Sequence, residues 1–310
     1  MLKITYKFKI KPNYAILSNM KLKFKSVAII GRQSSFDGTR ILQILIKHLQ
    51  KKKVKVFLEK DTASILPNCK APIVERENLK NNCDLIIAVG GDGSLISAAR
   101  VAARQDLPVV GINRGFLGFL TDITPKNISK IDEVLRGEFI QEKRFLLSAK
   151  MGTQNKTIAQ NLALNDVVLF SYATGHMIEF AVYVDKEFLC NYRADGLIVA
   201  TPTGSTAHAL SSGGPILHPT LENIVLVPVL SHNLSSRPIV IDSKSKIEIV
   251  FDRSNPTDLL VLCDGQTQTM MQGGVIKISK AKEKLRLLHP KDYNYFETLR
   301  TKLHWEKERE

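Results

Sequence analysis

Apolar and polar positions alternate in blocks along the first half of the chain. Residues 26–30 form a short apolar run ending at Gly31, the pattern of a buried strand. Ile41, Leu42, Leu45, Ile46 and Leu49 then recur at helical spacing and predict an amphipathic helix over 39–53. Apolar strands follow at 54–58, 85–89 and 108–112, with a helix of small and apolar residues at 95–104. Continuously apolar strands alternating with helices predict a parallel, doubly wound α/β sheet. Ligands of such sheets bind beyond the carboxyl ends of the strands.

Beyond residue 143 the period shortens. Runs at 145–150, 164–169, 176–184, 187–193, 197–200, 224–227, 247–251, 259–263 and 275–278 read as strands separated by polar turns. Only 205–212 reads as a short helix there. The pattern predicts an α/β domain over 26–143, a mainly-β, sandwich-like domain over 144–290, and a terminal segment over 291–310. A helix at 292–303 within that segment is expected to return to the first domain. Residues 1–25 are Lys-rich and irregular, and read as a flexible extension. Met20 stands where a natural start would, so 1–19 read as dispensable.

Composition narrows the class. A 44% hydrophobic and 24% charged chain is that of a soluble globular protein. No apolar run is long enough to span a membrane and no secretory signal pattern opens the chain, so the cytoplasm is the expected compartment. The net charge of +14 favours anionic ligands in general. Without a nucleic-acid-binding motif it does not single out nucleic acid. Cys69, Cys83, Cys190 and Cys263 are not at metal-ligand spacing. The last three sit beside apolar stretches and are expected to be buried thiols.

The most chemical segment is Gly90-Gly91-Asp92-Gly93, entered from the strand at 85–89 and followed by a helix starting near Ser94. Glycines let backbone N–H groups approach a ligand closely. A helix start adds unpaired donors and a positive dipole end. The result is an anion-binding turn with one acid inside it. The plain alternative is a tight turn with Asp92 or Ser94 as helix cap. Neither the P-loop pattern nor the Gly-x-Gly-x-x-Gly fingerprint is present.

The second half has chemistry of its own. Asn165-Asp166 sets an amide beside a carboxylate, a pair suited to vicinal hydroxyls, or simply a capped turn before a strand. Thr201-Pro-Thr-Gly-Ser-Thr206 places four hydroxyls in six residues before a short helix, a second turn compatible with phosphate or ribose. Arg193 and Asp195, two apart on an expected strand, should share a face, as a ligand grip or a surface ion pair. Asp264-Gly265-Gln266 is by itself a hairpin signal.

Taken in order, Gly90 to Ser94, Gly111 to Phe119, Asn165-Asp166, Asp195-Gly196, Thr201 to Ala207 and Asp264 to Gln266 resemble the bacterial NAD kinases, over about residues 26 to 305. The Gly-Asp turn alone is shared with lipid kinases; the Asn-Asp pair and the Gly-Ser-Thr-Ala turn narrow the resemblance. It implies phosphoryl transfer from ATP, or from polyphosphate, to the adenosine 2′-hydroxyl of NAD, with Asp92 as proton acceptor. It implies Gly90, Gly91, Gly93 and Ser94 at the ATP phosphates, and Mg²⁺ arriving with ATP. Asp92, Gly93, Phe119, Asn165, Asp166, His176, Arg193, Asp195, Gln266 and the segment Thr206, Ala207, His208, Ala209, Leu210, Ser211 would contact NAD. The family often has Glu where Asp166 stands and usually Tyr where His208 stands. It forms homotetramers, so a homotetramer or homodimer is expected, with the NAD site completed by a neighbouring subunit. A lipid kinase is the competing enzyme reading, but no amphipathic membrane helix supports it. A basic nucleic-acid-binding protein is the non-enzymatic one, and salt-dependent DNA retention would reveal it.

Overall fold

Parallel pairing of short, buried strands organises the first half. The computed structural model describes residues 22–31, 36–115, 118–173, 176–232, 235–252, 255 and 258–305. The first half runs β1 (Ser26–Gly31), α1 (Phe36–Lys51), β2 (Lys55–Glu59), α2 (Lys60–Ser64), β3 (Ile73–Val74), β4 (Leu85–Val89), α3 (Asp92–Gln105), β5 (Pro108–Ile112) and α4 (Lys130–Arg136). Its strands lie parallel in the order β5-β4-β1-β2-β3. Side chains alternate across a strand, so β1 feeds two cores. Val27 and Ile29 pack with Leu42, Leu45 and Leu49 of α1, while Ala28 and Ile30 pack with Leu95, Ala98, Ala99 and Ala102 of α3. The strand order reverses between β1 and β4, and Gly90 to Gly93 lies at that switch point.

The second half continues as β6 (Ile140–Gly152), β7 (Thr157–Ala163), β8 (Asp166–Ser171), β9 (Ile178–Val184), β10 (Glu187–Ala194), β11 (Gly196–Ala200), α5 (His208–Ser211), β12 (Asn223–Val229), β13 (Ile239–Asp242), β14 (Ile247–Phe251), β15 (Leu259–Cys263), β16 (Thr267–Met271), β17 (Gly274–His289) and α6 (Tyr295–Leu303). An antiparallel six-stranded sheet, β13-β12-β11-β8-β15-β16, packs against the sheet that holds β9, β14, β17 and β6. Leu147, Leu169, Phe180, Val199, Ile249, Val261 and Ile276 interdigitate between the two. The second half is therefore the expected sandwich.

The largest departure from the sequence reading is β17. Apolar pattern alone marks 275–278, but the strand runs for 16 residues. It pairs antiparallel with β14 through Val275–Ile278 and parallel with β5 through Arg286–Leu288, and β6 follows its other side. The register shifts between Lys280 and Lys284, where Lys280, Lys282, Glu283 and Lys284 break the apolar run and hide its continuity. One sheet thus serves both halves, and the boundary expected at 143/144 falls inside β6. The edge strand β16 opens on Thr267, Gln268 and Thr269 and so escapes a hydrophobicity reading, whereas β13 is too short, at four residues, to stand out despite its three apolar positions.

Both ends of the described chain are tied down. Phe24, 6% exposed, stacks on Phe139 at 5.9 Å, and the Lys23 and Phe24 amides donate to the Leu135 carbonyl at 2.8 and 3.2 Å. Residues 22–25 therefore belong to the fold, whereas the expected extension over 1–19 lies outside the described residues. α6 begins later than the helix expected at 292–303, because Asn294 caps it by accepting from Phe296 and Glu297 amides at 2.9 and 3.1 Å. Lys130 meets Asp292 at 2.6 Å and Lys291 meets Glu138 at 3.2 Å, while Tyr295 and Phe296 rest on His218. The terminal segment therefore touches both halves. Cys83 and Cys263 are buried, and burial pushes both thiols up to about 12; Cys190 is only half-buried. Among the described residues no helix is long and apolar enough to cross a membrane.

Candidate active site

β4 delivers the chain to Gly90, whose amide donates to the Ile112 carbonyl of β5 at 2.9 Å. Gly90 has φ +153°, and a Cβ there would lie 2.2 Å from Ser94 Oγ. Around Gly91 and Gly93 a Cβ would meet nothing within 4 Å, so these two keep backbone uncovered rather than relieve a clash. α3 starts at Asp92 itself, with Gly91 in the cap position and no side-chain cap. The Asp92 carboxylate turns instead to the loop after β5. Its Oδ2 accepts from the Phe119 amide at 2.8 Å, and its Oδ1 accepts from the Leu120 amide and Thr121 Oγ1, both at 3.1 Å. Thr121 Oγ1 in turn accepts from Asn113 Nδ2 at 2.8 Å. A Cβ at Gly118 would sit 2.1 Å from Asp92 Oδ1, so only glycine leaves room for the carboxylate. The capping alternative for Asp92 is thereby displaced.

Asn165 and Asp166 stand at the head of β8, and Asp264 fixes them there. Its oxygens accept from the amides of Leu164 at 3.0 Å, Asn165 at 2.7 Å and Asp166 at 3.4 Å. The Asp264 amide donates back to the Asp166 carbonyl at 2.9 Å. Burial pushes the Asp264 carboxyl up to about 6, against the pull of the Leu164 and Asn165 amides and the Arg100 guanidinium, and the Asp166 charge adds to the rise. Asp166 is 1% exposed, yet neither of its side-chain oxygens, nor Asn165 Oδ1, accepts a hydrogen bond from a described residue. Buried acceptors without donors are costly. Apart from the His208 ring that lies beside Asp166 Oδ2, these acceptors need donors from elsewhere.

The turn from Thr201 to Thr206 wraps this pair. The Thr201 amide donates to the Asn165 carbonyl at 2.8 Å and Thr201 Oγ1 to the Leu164 carbonyl at 2.6 Å. A Cβ at Gly204 would lie 2.1 Å from the Asn165 carbonyl. The four hydroxyls, read from sequence as ligand groups, are spent inside the fold. Ser205 Oγ donates to the Pro202 carbonyl at 2.7 Å and accepts from the Leu217 amide at 2.9 Å. Thr206 Oγ1 donates to the Thr203 carbonyl at 3.3 Å, and Thr203 Oγ1 accepts from Arg144 Nη1 at 3.2 Å. Hydroxyls serve the backbone as readily as a ligand. α5 then presents His208, whose Nδ1 lies 3.3 Å from Asp166 Oδ2. That contact raises the His208 pKa; partial burial opposes it, and the charges of Asp166 and Asp264 assist. Thr206, Ala207 and Leu210 are half-buried and Ser211 is exposed, while Ala209 is fully buried against Val168 and Ile198.

Gln266 closes the gap between the halves. Its Nε2 donates to the Gly93 carbonyl at 2.8 Å, and its Oε1 accepts from Arg100 Nη2 of α3 at 2.8 Å. Asp92, Gly93, Phe119, Asn165, Asp166, His208 and Gln266 thereby join in one cluster through Asp264 and Arg100. Arg193 and Asp195 do not share a strand face as expected. The chain leaves one sheet at Ala194 and enters the other at Gly196, so Asp195 is the joint between β10 and β11. Arg193 stays exposed on β10, 3.6 Å from Glu179, and His176 is exposed just before β9.

Sequence reasoning missed Arg100 and Thr121, and named Gly118 and Asp264 only as members of motifs, with no role at the site. The one available signal was Arg100, an arginine set among the small, buried residues of α3 ahead of Arg104 in its last turn. Among the described residues no group of three His, Cys, Asp or Glu side chains converges as a protein-built metal site.

The profile of the ATP-NAD kinase N-terminal domain matches residues 27–139, and that of the ATP-NAD kinase C-terminal domain matches residues 164–290. Among curated relatives, the NAD kinase of Teredinibacter turnerae is 49% identical over 284 residues, covering 91% of this chain and 97% of its own. The NAD kinase of Pseudomonas entomophila is 50% identical over 285 residues, covering 91% and 96%. Yeast NADH kinase complexed with NADH superposes with a TM-score of 0.84 at 24% identity, over 92% of this chain and 89% of that one, a likeness of fold. An NAD kinase from Archaeoglobus fulgidus in complex with ATP gives a TM-score of 0.69 at 27% identity, over 90% and 98%.

Proposed function

The chain belongs to the NAD kinase family and is an NAD kinase, and from that premise we propose that it transfers the γ-phosphoryl group of ATP to the adenosine 2′-hydroxyl of NAD, with Asp92 as proton acceptor. The observation that carries the reading is the meeting of two features. One is a carboxylate oriented by three donors at a switch-point turn; the other is a pair of buried acceptors, Asn165 Oδ1 and Asp166 Oδ1, that lack donors, beside Asp166 Oδ2, which has only the His208 ring.

Phosphoryl transfer asks mainly for positioning and charge stabilisation. Asn165 Oδ1 and the Asp166 carboxylate accept from NAD hydroxyls, which settles their unmet hydrogen-bonding capacity. The 2′-hydroxyl then lies against Asp92. As its oxygen bonds to the γ-phosphorus, the bond from that phosphorus to the bridging oxygen breaks, ADP leaves, and the hydroxyl proton passes to the Asp92 carboxylate. The uncovered backbone at Gly91 and Gly93, with Gly90, Ser94 and the dipole end of α3, faces the triphosphate. A divalent cation such as Mg²⁺ would arrive with the triphosphate and would supply charge neutralisation there. His176, Arg193 and Asp195, which lie away from the cluster, are assigned to the NAD site of a neighbouring copy in a homotetramer or homodimer. The four cysteines are free, as suits the cytoplasm.

The test is direct. Purified protein is incubated with NAD and Mg²⁺ and with either ATP or polyphosphate, and NADP is read by a coupled dehydrogenase. NADP formation dependent on ATP is the expected result; none with either donor would refute the reading.

A further inference from the structure

α3 carries Asp92 at its first position and Arg100 two turns later. Arg100 is turned to the second half of the chain. Its guanidinium reaches across to the turn between β15 and β16. Nη2 donates to Gln266 Oε1 at 2.8 Å, Nη1 donates to the Cys263 carbonyl at 3.4 Å, and Nη1 lies 3.5 Å from Asp264 Oδ2. The Arg100 side chain is 17% exposed and that of Asp264 is fully buried. Asp264 fixes the amides of Leu164, Asn165 and Asp166, and Gln266 fixes the carbonyl of Gly93. One guanidinium thus spans both attachments. It links the helix that bears the proton acceptor to the loop that bears the hydroxyl-binding pair.

We propose that Arg100 is a positioning residue, a latch that sets the distance between Asp92 and the NAD hydroxyls held by Asn165 and Asp166. The inference rests on the roles proposed for those three residues. A planar fork with several donors suits this task because it satisfies an amide oxygen, a carbonyl and a carboxylate together. Lysine places one ammonium and reaches only part of that set. Small misplacements of reacting groups cost rate far more than they cost binding. The latch should therefore appear in kcat and not in NAD affinity.

The experiment compares Arg100→Met, Arg100→Lys, Gln266→Ala and the Arg100→Met/Gln266→Ala double variant with the wild type. The readouts are kcat, KM for NAD and ATP, calorimetric NAD affinity without ATP, and melting temperature. Arg100→Met should lower kcat at least about tenfold while NAD affinity and the ATP KM move less than about threefold. Arg100→Lys should fall between it and the wild type. The double variant should lose little more kcat than the worse single one, because both changes open the same latch. Wild-type kcat in Arg100→Lys or Arg100→Met would overturn the proposal. So would a loss confined to NAD affinity, or full multiplication of the two single effects. A poorly folded Arg100→Met leaves Arg100→Lys to decide. Failure of the underlying reading is separate, since it shows as absent NADP formation in the wild type.

Discussion

Replacing Asp92 by asparagine keeps the shape of the side chain and removes its charge and one acceptor. The carboxylate now takes the Phe119 amide on one oxygen, and the Leu120 amide and Thr121 hydroxyl on the other. An amide NH₂ must face one of these donor sets, and it cannot accept. At least one donor is orphaned, and a lost bond to a charged group costs about 1.5–3 kcal/mol. For a chain of this size that corresponds to a melting temperature lower by a few degrees. The catalytic loss is larger, because removing a proton acceptor typically costs at least about a hundredfold in turnover.

The two effects separate with Thr121→Val. That change deletes one donor to Oδ1 but leaves the carboxylate, so it should lower the melting temperature comparably and turnover by less than about tenfold. NADP formation by a coupled dehydrogenase, at saturating NAD and ATP, reads turnover; calorimetry reads stability. Near-wild-type turnover in Asp92→Asn would remove Asp92 from the chemistry. A Thr121→Val variant as slow as Asp92→Asn would reduce Asp92 to a clamp for its loop.

Three further outcomes are expected. Asp166→Asn should lower kcat/KM for NAD by roughly tenfold or more with the ATP KM little changed; equal losses for both substrates would show that the residue supports the architecture of the site instead. Gly118→Ala should cut kcat at least about tenfold, since its Cβ would lie 2.1 Å from Asp92 Oδ1, and an unchanged kcat would mean that the loop yields without moving the carboxylate. Asp264, raised to about 6, should give kcat/KM for NAD an acid limb near that pH, as protonation weakens its hold on the Leu164 and Asn165 amides. The sign for stability is opposite. The folded state binds the proton before the unfolded chain does, so the contribution of Asp264 to stability rises as pH falls from about 6 towards the ordinary carboxylate range. The acid limb should survive in His208→Ala and vanish in Asp264→Asn, and the reverse pattern would assign it to His208.

Each half of the site was legible as a turn, while the joint between the halves was not. Periodicity reports which positions of a segment are buried, and it found β4, β5, β8, β11, β14 and β15 because those strands are apolar along at least one face. It does not report which segments meet. Asp92 takes its donors from residues 27 to 29 positions later in the chain. Asp264 takes its donors from residues about a hundred positions earlier. β17 was cut short because its bulge carries charges, and Arg193 and Asp195 were set on one face because nothing local marks the change of sheet at Asp195.

Residue type was ambiguous for the same reason. The hydroxyls at Thr201 to Thr206 suit a ligand as well as they suit a turn, and only their partners reveal that the turn consumes them. The glycines divide the other way. Gly118 clears a path for Asp92, and Gly204 lets its turn lie on Asn165, so both are explained within the protein. Gly91 and Gly93 relieve no contact at all. A glycine that the fold does not require, placed at the open end of a buried strand and the start of a helix, is conformational freedom retained at a cost. That cost has an evident return only when something outside the chain approaches the backbone. For this reason the uncovered glycines, more than the crowded ones, support the placing of the triphosphate proposed above.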